Sequence, residues 1–99
     1  MLDTILKNRN GTDFVDDEGT NVTIRYALFK AIDLPVEGDA QMQPPAKLKL
    51  AKLSIKLADD NAELSAGEIT ILLERAARNL TILIYTQLVQ ALDPKALTE

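Results

Sequence analysis

Apolar residues recur along the chain at several spacings, and each spacing predicts a different element. Leu2, Ile5 and Leu6 precede Asn10-Gly11, the dipeptide best suited to positive φ at both corners of a type I′ turn. Thr12–Val15 returns from that turn, and Asp16–Gly19 makes a second one. Residues 1–19 therefore read as a short N-terminal β-hairpin, and the chain reads as free of internal repeats. In 20–33 the spacing switches to the helical period. Ile24, Ala27, Leu28 and Ala31 fall on one face, Val22, Tyr26, Phe29 and Ile32 widen it, and Thr20, Asn21 or Thr23 can cap it. Asp33-Leu34-Pro35 ends this helix, because a residue before proline avoids the helical region. The aperiodic segment 34–45, with three prolines, is a loop and the most mobile stretch expected.

Residues 46–58 admit two readings. Leu48, Leu50, Leu53, Ile55 and Leu57 nearly alternate with Lys and Ser as in a strand, but Ala51 breaks the register. Wound as a helix, Lys49, Lys52 and Lys56 form one stripe and apolar residues fill the remaining arc of roughly 220°. The Ala, Leu and Lys content and the preceding Pro44-Pro45 favour helix, with the strand left open. The next helix, 65–79, carries a capping box of Ser65 and Glu68, and Leu64 and Ile69 are spaced as a hydrophobic staple. Its inward face is expected to be Ile69, Leu72, Leu73, Ala76 and Leu80, with Glu74, Arg75 and Arg78 outward. A break near Asn79–Thr81 leads to a last helix, 81–92, which is apolar over half its circumference and uncharged. Asp93-Pro94 stops it, leaving a tail, 93–99. The expectation is a single, mainly α domain of about four helices with a short β-hairpin.

Composition narrows the chemistry. A compact chain of 99 residues and 10.9 kDa exposes roughly 5,600 Å² and buries about 65% of its unfolded surface, enough for one core. There is no Cys, so no disulfide framework, thiolate nucleophile or Cys-bound metal. There is no His, which removes the usual base near neutral pH and the commonest metal ligand. Ser occurs only at Ser54 and Ser65. The acidic turn at 13–19 fails as a calcium loop, because setting Gly19 at the sixth position puts Phe14 where the first carboxylate must stand. Asp16, Asp17, Asp59, Asp60 and Glu63 lie beside turns and helix ends, where acids commonly cap. The expectation is a chain that is no enzyme and has no cofactor or metal.

The net charge of −4 is segregated. Residues 1–42 sum to −4, residues 43–58 to +4 and residues 59–99 to −4. An acidic whole disfavours nucleic acid, and a helix-turn-helix reading of 65–92 fails because the second helix has no Lys or Arg. The basic segment offers Lys49, Lys52 and Lys56 to an acidic protein or, as the alternative, to nucleic acid with Arg75 and Arg78. The longest uncharged stretch, Asn79 to Leu92, is shorter than the roughly 20 residues of a membrane span. With no secretory leader evident, a cytoplasmic location is expected. On the last helix, Ile82, Ile84, Tyr85, Leu88, Val89 and Leu92 make an arc of about 180°. With the still wider apolar arc of the 46–58 helix, which one chain would struggle to cover as well, that predicts self-association, most simply a homodimer, unless the hairpin and first helix cover these faces.

Three stretches, Asn10–Gly19, Thr23–Leu28 and Glu63–Ile69, together with the helical tail, give an order of elements that resembles small proteins encoded by tailed phages and prophages. The resemblance implies a bacterial cytoplasm, a protein partner or self-association, and no catalytic residues. The functional expectation is a non-enzymatic phage or prophage accessory protein acting through protein–protein interaction, against the alternative of a small nucleic-acid-associated regulator.

Overall fold

The computed structural model describes residues 2–98. It is mainly helical, with α1 (Ile24–Asp33), α2 (Pro44–Leu57), α3 (Ala66–Asn79) and α4 (Ile82–Leu92), and with short 3₁₀ turns at Asp39–Gln41 and Pro94–Leu97. The caps explain the boundaries. Thr23 accepts from the Tyr26 N–H, Ser65 and Glu68 form the full capping box, and Thr81 accepts from the Ile84 N–H. Residues 44–57 are helical, so the strand alternative is not formed. The helix absorbs both prolines in its first turn, where their missing N–H groups cost little.

The N-terminal hairpin is corrected. No sheet forms among the described residues; the segment pairs instead through isolated antiparallel bridges, Ile5 with Thr23, Lys7 with Asp13 and Val15 with Asn21. Three extended segments close a ring of backbone hydrogen bonds. Leu6 N–H donates to Val22 O (2.8 Å), Val22 N–H to Phe14 O (2.9 Å) and Phe14 N–H to Leu6 O (2.8 Å). Both links between segments use one turn. Gly11 N–H donates to Asn8 O while Asn8 N–H donates to Thr12 O, and Asp16, Gly19 and Thr20 repeat the pattern. Positive φ occurs only at Gly11 (87°) and Gly19 (80°) in these turns. The turn is therefore a three-residue loop with glycine in the left-handed position, not the two-residue I′ turn expected of Asn10-Gly11. The chain has an internal repeat after all: Asn8-x-x-Gly11-Thr12 recurs eight residues later as Asp16-x-x-Gly19-Thr20.

The ring aims Leu6 and Val22, both buried, into the core, with Phe14 packed beside them. There they meet Ala27, Leu28 and Ala31 of α1, Leu53 and Leu57 of α2, Leu72 and Ala76 of α3 and Leu88 of α4. Small residues at 27, 31 and 76 let α1 and α3 approach closely. Gln87 of α4 locks the ring onto the bundle, accepting from Lys7 N–H (2.7 Å) and donating to Lys7 O (2.9 Å). Among the described residues, no helix is long and apolar enough to cross a membrane.

Candidate protein-docking surface

Two arginines fix how α2 sits. Arg25, on α1, donates from Nη1 to Leu57 O and to Asp59 O (3.0 Å), holding the carbonyl end of α2. Arg75, on α3, does the same for α1. The Ala31 carbonyl would ordinarily bond the N–H of residue 35, but Pro35 has none, and the Val36 N–H is taken by Asp39 Oδ2. Arg75 fills the gap, donating to Ala31 O (2.8 Å), Ile32 O (2.9 Å) and Leu34 O (3.2 Å). Asn79 Nδ2 adds bonds to Ala31 O (2.9 Å) and Leu34 O (3.0 Å). The same guanidinium pairs with Asp39 at 3.0 Å. That hydrogen bond, with the one from the Val36 N–H, holds the Asp39 carboxyl below its usual pKa. The loop expected to be most mobile is thus tied to α3 just before α2 begins.

This reverses the placement of Arg75, which the periodicity set on the outward face. Its side chain is 11% exposed. At 100° per residue, Glu68, Arg75 and Asn79 form a polar stripe beside Leu72 and Ala76. That stripe, beside a helix end whose next donor is a proline, was the signal available in the sequence.

The three lysines expected to act together are divided. Lys49 and Lys52 are exposed, whereas Lys56 pairs with Glu68 at 2.7 Å. The Lys56 ammonium and the Ser65 N–H hold the Glu68 carboxyl below its usual pKa. With Arg75 also engaged, Lys49, Lys52, Lys56, Arg75 and Arg78 do not form one available cationic face. The residues expected for self-association are divided too. Leu88 and Val89 are buried, Ile84, Tyr85 and Leu92 are partly buried against the core, and Ile82 is 76% exposed. α4 packs mainly against α3 and the following 3₁₀ turn, and these with the shared core take up most of its apolar arc.

The apolar surface left uncovered is on α2. Residues 44–49 are all exposed, and the buried side chains of the helix are Leu53 and Leu57, both near its C-terminal end. Leu48 is 55% exposed and Ile55 76%. On the side of α2 turned away from Leu48 and Ile55, a shallow groove of about 220 Å³ runs between α2 and α3, lined by Met42, Ala46, Leu50 and Ile71 among others. Among the described residues, no three Asp, Glu, His or Cys side chains gather as a metal site would require. No protein-family model matches the chain, and no significant match to it was found among curated proteins or among solved structures.

Proposed function

We propose that the chain is a non-enzymatic accessory protein of the kind it resembles in tailed phages and prophages, acting in a bacterial cytoplasm by holding another protein on α2. The observation that carries this reading is the exposure of Leu48 and Ile55 on a helix that buries nothing over its first turn and a half. Elsewhere most large apolar side chains pack onto one core. The alternative, nucleic-acid contact through the lysines, is weakened by the pairing of Lys56 with Glu68 and of Arg75 with Asp39.

The test is site-specific photo-crosslinking in bacterial cells, with the photoreactive residue at Ile55 and, as a control, at the exposed helix position Thr70. We expect a discrete protein adduct from position 55 and none from position 70. Adducts to nucleic acid alone, or equal yields at both positions, would reject the reading.

A further inference from the structure

We infer that the occupant of α2 is an acidic amphipathic helix of a different protein, an inference that rests on the protein-binding reading above. At 100° per residue, Ala51, Ile55 and Leu48 fall within about 60° of one another on the outer face of α2. Lys47 stands about 40° beyond one edge and Lys52 about 40° beyond the other. Residues 43–58 contain no acid, and among the described residues neither lysine makes an ion pair. An apolar stripe with lysines on both flanks is complementary to a helix that carries leucines along one face and carboxylates on both sides of it.

The chain as a whole also exposes more surface than a compact monomer of its mass. The chain exposes 6604 Å², on the order of 1,000 Å² more than the roughly 5,600 Å² of a compact chain of this mass. A stable interface buries about 800 Å² on each side. Charge decides between a foreign helix and a second copy. Two-fold pairing of α2 with its own copy, parallel or antiparallel, sets lysine-lined flanks against each other, and like charges across an interface disfavour association.

The experiment uses the full chain and two fluorescently labelled synthetic peptides of about four helical turns. Both carry leucines on one face; one has Glu on the flanks and the other Lys. Fluorescence anisotropy is expected to show the acidic peptide binding at tens of micromolar, weakening as salt rises, and the basic peptide binding at least about tenfold more weakly. Ile55→Asp and Lys52→Glu change exposed positions, so the fold should survive, as circular dichroism will verify. Ile55→Asp should weaken the acidic peptide by about tenfold or more, and Lys52→Glu should narrow the difference between the two peptides. Equal binding of both peptides, or no binding of the acidic one to folded protein up to about 100 µM, would overturn the inference. So would a concentration-dependent dimer that Ile55→Asp dissolves, since the occupant would then be a second copy. Failure here with a position-55 adduct intact in cells removes the acidic helix and leaves the protein-binding reading standing.

Discussion

Replacing Arg75 with alanine tests the clamp that sets the end of α1 and the start of α2. The substitution removes bonds to Ala31 O, Ile32 O and Leu34 O and the pair with Asp39. Asn79 still reaches Ala31 O and Leu34 O, so the Ile32 carbonyl is the group left without its side-chain donor. An orphaned buried polar group costs about 1–3 kcal/mol and a hydrogen bond to a charged group is worth about 1.5–3 kcal/mol. Two of the three carbonyls keep a partner and water can reach the rim, so the net loss should be about 3 kcal/mol. For a chain of this length roughly 5 °C of Tm corresponds to 1 kcal/mol, which predicts a fall of about 15 °C by far-UV circular dichroism. Arg75→Lys, with one point charge in place of a planar fork, should recover less than half. A fall below about 4 °C for Arg75→Ala would refute the clamp.

Ser65→Ala breaks the capping box and should cost about 1 kcal/mol in urea unfolding, with an unchanged midpoint counting against that cap. Gly19→Ala forces a side chain into the left-handed region at φ 80°; it should cost about 1–2 kcal/mol and loosen amide-exchange protection at Asp16 and Val22 first. Acid should weaken the fold through Asp39 and Glu68, whose carboxyls are both held below their usual values. A depressed carboxyl contributes stability above its unfolded pKa and loses it as pH falls through its folded one. The urea midpoint should therefore drop as pH falls below 4.5, the ordinary value for Glu68, and further below 3.8, that for Asp39. In Glu68→Gln the first part of this drop should shrink; an identical acid limb would contradict the assignment.

Local signals in the sequence carried the helices. Ser65 with Glu68, Pro44-Pro45 and Asp33-Leu34-Pro35 each act within one turn, so their effect needs no knowledge of the rest of the fold. The ring at the N-terminus was hidden because Asn10-Gly11 suits two turns, and only the closure of Leu6, Phe14 and Val22 on one another selects the longer loop. Arg75 was misplaced because a charged residue next to an apolar stripe reads as solvent-facing, yet here it answers the Ala31 carbonyl that Pro35 cannot serve and the Ile32 carbonyl that Val36 does not. For the surface, periodicity reports how wide an apolar arc is and nothing of what lies opposite. The arcs of α2 and α4 looked alike as surplus. Tertiary packing covers most of the α4 arc and leaves Leu48 and Ile55 of α2 bare.

The docking claim for α2 is tested most directly by titrating the isotopically labelled chain with the acidic amphipathic peptide and following its amide resonances. We expect saturable shifts concentrated at Leu48, Ala51, Lys52 and Ile55, absent in Ile55→Asp, with Leu88 and Val89 unmoved. Shifts confined to α4 around Ile82, or spread evenly over the acidic and basic segments alike, would contradict it.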